Sequence, residues 1–308
     1  MMMMFEKVLV PTDFSRYALK MLDCIGEIPG QREIVLLNVV DAGNPMVLEK
    51  KGWSYSSLLD DAKADLKKMV EHLERLGQQN VLEVKPVLKV IVEPMSGADG
   101  VNLKRPEPVS GVEFIEGGTI GEAIQKAADE EKVSLIVMGA HGKGLMEGIL
   151  LGSVSTEVLH SGKTDLLIIR HKLLEGSEKL CHDIFSRVLI TTDFSEAARD
   201  AVTLVKGLEG VHEILLVHVV SEGEDIEEPA KKLNVLRDEL TGKVTVHVLE
   251  GHAADQILAL AERQGASLII MSSQGKGWLR QIRVGSTTFD VARRARQPVL
   301  IVRPKLPA

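Results

Sequence analysis

Short, unbroken apolar runs punctuate this chain, separated by stretches whose apolar residues recur every three to four positions. In the first half the runs are Val8–Val10, Ile34–Val40, Leu135–Met138 and Leu166–Ile169. A run without alternation predicts a strand buried on both faces, because each side chain meets an apolar layer whichever way it points. Between the runs, Ala18, Leu22 and Ile25 share one helical face. Ile120, Ile124 and Ala127–Ala128 do the same, as do Val154, Val158 and Leu159. Strands alternating with helices predict right-handed βαβ crossovers, and hence a parallel sheet with helices on both sides.

The pattern occurs twice. "KVLVPTDFSRYALKML" (Lys7 to Leu22) returns as "RVLITTDFSEAARDAV" (Arg187 to Val202), and "EIVLLNVVD" (Glu33 to Asp41) as "EILLVHVVS" (Glu213 to Ser221). "SLIVMGAHGKG" (Ser134 to Gly144) returns as "SLIIMSSQGKG" (Ser267 to Gly277), and "DLLIIR" (Asp165 to Arg170) as "PVLIVRP" (Pro298 to Pro304). Matches in the same order predict two tandem copies of one doubly wound α/β domain, residues 1–172 and 183–308, with a charged linker between them. Two copies are too few, and each too long, for a solenoid. Each copy is expected to hold five strands.

The copies differ in length. Asp13 to Gly142 spans 129 residues and Asp193 to Gly275 spans 82, so the first copy carries 47 more (129 − 82). The excess falls at about 85–111, around "EPMSGADGVNLKRPEPVSG", which is rich in Pro and Gly and poor in periodicity. Matching "VEFIEGG" (Val112 to Gly118) with "VHVLEGH" (Val246 to His252) makes Val87–Val92 an extra strand or hairpin arm. The insert reads as a solvated surface loop, with a lid or partner-binding arm as the alternative.

Composition narrows the function classes. With 44% hydrophobic and only 3% aromatic residues, the cores must be built from Val, Ile, Leu and Ala. A formal charge of −7 offers no electrostatic footprint for nucleic acid or an anionic membrane. No apolar run approaches the roughly 18 residues that cross a bilayer, and "MMMM" lacks the parts of a signal peptide. Cys24 and Cys181 are isolated, without Cys-x-x-Cys, and read as two buried small hydrophobes rather than a disulfide. Together these features point to the cytoplasm. Nine histidines lack paired-ligand spacing, so no metal site is expected.

The candidate chemistry lies in "MGAHGKGLMEGILLGSVS" (Met138 to Ser155), at the end of a strand, where doubly wound sheets bind ligands. Glycine there serves either of two needs: backbone angles closed to other residues, or close approach of a ligand to main-chain N–H groups. Gly152-Ser153 opens the next helix, whose unpaired N–H groups and dipole suit a phosphate. Neither common phosphate signature fits. Glu147 stands where Gly-x-Gly-x-x-Gly needs its third glycine, and "SGKT" (Ser161 to Thr164) leads into a strand, so Gly162 reads as a helix C-cap.

What does fit is Gly-x2-Gly-x9-Gly-Ser at Gly139, Gly142, Gly152 and Ser153, with "VPTDFS" at the first strand end. Together these resemble the nucleotide-binding pattern of the universal stress protein family, in both copies. The resemblance implies five parallel strands in the order 3-2-1-4-5 and a bound adenine nucleotide, ATP or AMP, with Mg²⁺ only beside a triphosphate. It implies that Pro11, Thr12, Asp13 and Val39 surround adenine and ribose, with Met138 and Gly139 beside the ribose. Gly142, Gly152, Ser153, Val154 and Ser155 would take the phosphates, with His141 and Lys143 in the same loop. In the second copy the matching set is Thr191, Asp193, Val219, Met271, Gly275, Gly285, Ser286, Thr287 and Thr288.

Other readings of these residues stay open. Asp13 also suits a helix N-cap. Lys143 is either a phosphate contact or merely solvated, and His141 has no carboxylate partner in sequence, so no catalytic residue is assigned. Ser272 replaces Gly139 in the second copy, where its β-carbon would weaken the site. Arg280 and Arg283 stand where Glu147 and Leu150 do: either they offset that loss by pairing with phosphate, or they lie in solvent on a degenerate domain kept for pairing. The expected function is a non-enzymatic, nucleotide-binding stress-response switch. A slow ATPase that resets such a switch, or a structural partner with vestigial sites, are the alternatives. The apolar edges "DLLIIR" and "PVLIVRP" invite pairing of the two fifth strands within the chain, and a homodimer is left open.

Overall fold

The computed structural model describes residues 4–43, 55–76, 83–92, 109–140, 151–170, 183–275 and 284–304. In the first repeat the strands are β1 (Lys7–Thr12), β2 (Glu33–Asp41), β3 (Glu83–Val92), β4 (Val112–Glu116), β5 (Leu135–Gly139) and β6 (Asp165–Ile169). Its helices are α1 (Arg16–Leu22), α2 (Tyr55–Leu76), α3 (Ile120–Glu131) and α4 (Ser153–Ser161). The second repeat holds β7 (Arg187–Thr191), β8 (Glu213–Val220), β9 (Lys243–Glu250), β10 (Leu268–Ser272) and β11 (Val299–Val302). Its helices are α5 (Glu196–Gly207), α6 (Glu227–Asp238), α7 (Ala253–Arg263) and α8 (Ser286–Arg294).

All these strands join one 11-stranded sheet, β4-β3-β2-β1-β5-β6-β11-β10-β7-β8-β9. Neighbours are parallel within each repeat, and β6 meets β11 antiparallel, Leu167 opposite Leu300. The unbroken apolar runs are explained by a core on each face. Val8 and Val10 pack with α1, α2, α5 and α6 on one side, while Leu9 packs with α3, α4, α7 and α8 on the other. Each core runs through both repeats. β6 and β11 satisfy one another's edges, so a homodimer would need another surface.

The second repeat has the expected order, but the first has six strands rather than five. The correction concerns which strand is extra. Glu83–Val92 pairs with β2 as Lys243–Glu250 pairs with β8, so it holds the third position, and Val112–Glu116 is the added edge strand. The match between "VEFIEGG" and "VHVLEGH" is therefore not one of sheet position. Pairing with β4 begins only at Leu88, and β3 turns from exposed to buried at that residue. Pro86 lies in the overhang, partnered by β2 alone, where a strand tolerates a missing N–H. Lys89 is buried beneath β4, and Glu113 and Glu130 take its ammonium.

A second correction concerns Cys24. It is buried, but as half of a disulfide and not as a thiol. The chain's other cysteine, Cys181, lies outside the described residues. Absence of Cys-x-x-Cys excludes a local redox pair but not a bond over a long loop, because sequence distance does not limit closeness in space. The argument from cysteines to a reducing compartment falls with it. No described helix is long and apolar enough to cross a membrane.

Two buried arginines clasp the repeats. Arg303, just past β11, donates from Nη2 to Leu159 O at 2.6 Å, in the last turn of α4. Arg170, just past β6, donates in the same way to Ala292 O on α8. Each cation thus meets the negative end of a helix in the other repeat. Burial pulls the Arg170 guanidinium down to about 10, so it remains charged at neutral pH. Gly162 is the C-cap of α4, as expected, although its backbone is extended (φ −66°, ψ 147°). A β-carbon there would lie 2.7 Å from Val158 O and 3.0 Å from Arg303 Nη2, so glycine is needed for room.

An ion-pair hub closes the opposite end of the first repeat. Glu131 accepts from Lys85 at 2.8 Å and from Lys7 at 2.9 Å. The Lys85 hydrogen bond, then that of Lys7, holds its carboxyl below the ordinary value of 4.5. The stabilisation is present above pH 4.5 and is lost as pH falls through the depressed folded-state value. Glu131→Gln is expected to cost about 1 kcal/mol at neutral pH. It should also flatten the fall of the melting midpoint below pH 4.5, read by circular dichroism melts. An unchanged acid limb would show that Glu131 carries none of it.

Candidate functional site

Each repeat ends its first strand in the same turn. Thr12 Oγ1 accepts from Phe14 N at 3.1 Å and Asp13 Oδ1 from Ser15 N at 3.0 Å. Thr192 Oγ1 accepts from Phe194 N and Asp193 Oδ1 from Ser195 N, both at 3.0 Å. These bonds hold Phe14 and Phe194 at φ 59° and 63°, a region aromatic residues rarely enter. Strain repeated at equivalent positions marks a turn whose shape matters more than its local energy. The helix N-cap is Ser15, and in the second repeat Ser195, each accepting from the alanine N–H three residues on. The N-cap reading of Asp13 is thereby corrected. Asn38 Nδ2 donates to Thr12 O at 2.8 Å, and His218 Nδ1 lies 2.7 Å from Thr192 O. Since a carbonyl only accepts, Nδ1 of His218 carries the proton.

The glycine segments end β5 and β10 and open α4 and α8. Gly152 N donates to Ala140 O and Gly285 N to Ser273 O, both at 2.8 Å, so these N–H groups are spent on the strand ends. The Ser155 hydroxyl donates to Gly139 O at 2.9 Å and that of Thr288 to Ser272 O at 2.8 Å. Both side chains pin helix to strand, which leaves only their N–H groups for an anion. Glycine is the N-cap of both helices, with no side-chain cap bond, whereas Ser15, Thr119 and Ser195 cap theirs. In α8 the first helical bond is Phe289 N to Gly285 O, so the N–H groups of Ser286, Thr287 and Thr288 precede the ladder. None of Gly139, Gly152, Gly275 or Gly285 has positive φ. Backbone freedom is therefore not what these four glycines supply. Ser272 needs no left-handed backbone either.

In the second repeat these parts enclose a cavity of about 730 Å³, within the range of small-molecule sites. Every residue expected there lines it. Thr191 and Asp193 come from the end of β7, Val219 from β8, Met271 and Gly275 from β10 and beyond, and Gly285, Ser286, Thr287 and Thr288 from the start of α8. Gly275 also packs on protein: a β-carbon there would meet Asp193 Oδ2 at 2.5 Å. At Gly285 the nearest atom to such a carbon among the described residues is Ser273 O at 3.8 Å, and the glycine lines the cavity.

Several lining residues were not anticipated. Val217 and Ile257 supply apolar wall. His218, its ring 4.6 Å from that of Phe194, stands where the first repeat has Asn38. His160 reaches the cavity from the first repeat. Comparing "VLLNVV" with "LLVHVV" offered a signal for His218, since the histidine interrupts an apolar run. Nothing in the sequence announced His160.

The first repeat brings Pro11, Thr12, Asp13, Val39, Met138, Gly139, Gly152, Ser153, Val154 and Ser155 to the corresponding strand and helix ends. His141, Gly142 and Lys143 lie outside the described residues, as do Arg280 and Arg283. Among the described residues, no group of three or more His, Cys, Asp or Glu side chains is arranged to hold a metal.

A sequence model of the universal stress protein family matches residues 4–170 and 185–303. The chain belongs to the universal stress protein family. A universal stress protein of Methanocaldococcus jannaschii is 32% identical over 176 residues, covering 56% of this chain and 99% of its own. One from Mycobacterium tuberculosis is 25% identical over 307 residues, 90% of this chain and 89% of its own, so it spans both repeats. The crystal structure of a universal stress protein from Archaeoglobus fulgidus aligns with a TM-score of 0.69 at 25% identity, covering 97% of each chain. As a tandem universal stress protein, the chain carries the family fold twice along one sheet.

Proposed function

We propose that this universal stress protein binds an adenine nucleotide, ATP or AMP, at the strand ends and acts as a non-enzymatic switch in the stress response. The observation that carries the reading is the second-repeat cavity, which joins the Asp193 turn to the open terminus of α8. Val217, Val219, Met271 and Ile257 offer an apolar bed for a purine, and Asp193 a polar group beside it. The N–H groups of Ser286 to Thr288 and the dipole of α8 favour a phosphate at the other end. The first repeat repeats the Asp13 turn and the Gly152 helix start, which supports a second site of the same kind. Phosphoryl transfer needs charge neutralisation and an oriented water. The described lining consists mainly of hydroxyls, amides and apolar groups, which suits holding a nucleotide more than cleaving it.

Protein purified without added nucleotide is expected to release ATP, ADP or AMP on denaturation, identified by ion-exchange chromatography. A triphosphate would bring Mg²⁺ with it. No released nucleotide, together with no thermal shift on adding millimolar ATP or AMP, would sink the proposal. Steady phosphate release that Gly285→Val abolishes would establish turnover instead of holding.

A further inference from the structure

The second repeat does not supply every wall of its own cavity. His160 lines it from the last turn of α4, in the first repeat. Its ring rests on that of Phe289, with centroids 4.7 Å apart and planes tilted by 34°. Phe289 directly follows Ser286, Thr287 and Thr288, whose N–H groups precede the helical ladder of α8. The imidazole therefore stands at the helix-terminus end of the cavity. The antiparallel β6–β11 pairing brings α4 there, and Arg303 holds the neighbouring carbonyl, Leu159 O.

Imidazole donates N–H to phosphate oxygen. A monophosphate would engage the N–H groups of the α8 terminus, and only a longer phosphate chain would reach the wall that α4 provides. Resting on the adenine-nucleotide reading above, we infer that His160 contacts the outer phosphates in the second site and discriminates ATP from AMP. The first repeat thereby reads the occupant of the second, because the ligand's distal end touches a helix clasped across the repeat boundary.

The test uses the full chain and calorimetric titration with ATP and with AMP. His160→Phe keeps a ring against Phe289 and removes both nitrogen donors, while His160→Asn restores a donor on a shorter side chain. His160→Phe is expected to weaken ATP at the second site about tenfold, the loss of one charge-assisted hydrogen bond. AMP affinity should stay within about twofold, and His160→Asn should recover part of the ATP loss. In a Gly285→Val background the His160→Phe effect should vanish. Unchanged affinity for both nucleotides, equal loss of both, or an effect that persists with Gly285→Val would each overturn the assignment while leaving nucleotide binding intact. A wild-type chain that binds neither would overturn both readings.

Discussion

Gly285→Val is expected to weaken nucleotide binding at the second site by about 100-fold or more, while the apo protein loses no more than about 1 kcal/mol. The backbone at Gly285, φ −69° and ψ 151°, is open to any residue. Among the described residues the added β-carbon meets only Ser273 O, at an ordinary 3.8 Å, and the Gly285 N–H keeps its bond to that carbonyl. The remaining cost is that of an apolar N-cap. Valine's methyl groups instead occupy the space beside the Ser286 to Thr288 N–H groups. Gly275→Ala should behave differently, because its β-carbon would press on Asp193 Oδ2 at 2.5 Å, and binding and stability should fall together. Titration calorimetry beside thermal melts separates the two patterns. Wild-type affinity in Gly285→Val would mean that the ligand sits elsewhere.

The second large effect concerns the joint between repeats. Arg303→Met is expected to destabilise the chain by about 2–3 kcal/mol, because Leu159 O loses a buried, charge-assisted donor while the methionine fills much of the volume. Arg303→Lys should not rescue it. One strongly hydrated ammonium on a flexible stem does not replace the planar, weakly hydrated guanidinium whose Nη2 meets both Leu159 O and Val158 O. With Arg170→Met added, both helix ends lose their clasp, and scanning calorimetry should show one transition broaden or split as the repeats begin to melt apart. A melt indistinguishable from wild type in the double variant would show that the β6–β11 ladder and the shared cores hold the repeats together alone.

Much of the fold is legible in the sequence. Doubly buried strands such as Val8–Val10 and Leu135–Met138 announce themselves as unbroken apolar runs, because both faces of the sheet are covered. The recurrence of "TDFS" and of Gly-Ser before a helix marked equivalent strand and helix ends in both repeats, because local turn chemistry repeats with the fold. Where the reading failed, the local pattern was degenerate. "VEFIEGG" and "VHVLEGH" are interchangeable as strands, and only the placement of β3 between β2 and β4 assigns them different positions. Asp13 lost its N-cap role to Ser15 because two capping residues stand two apart and the backbone geometry chooses between them.

Local pattern and repetition thus determined the α/β class, the two repeats, and the helix starts at Gly152 and Gly285. These are settled by the residues' own periodicity, propensity and size. Tertiary structure alone decided the extra edge strand, the disulfide at Cys24, the reciprocal clasp of Arg170 and Arg303, and the presence of His160 in its neighbour's cavity. Each of these depends on segments far apart in the chain that meet only once the sheet has closed across β6 and β11, and no window of sequence contains both partners.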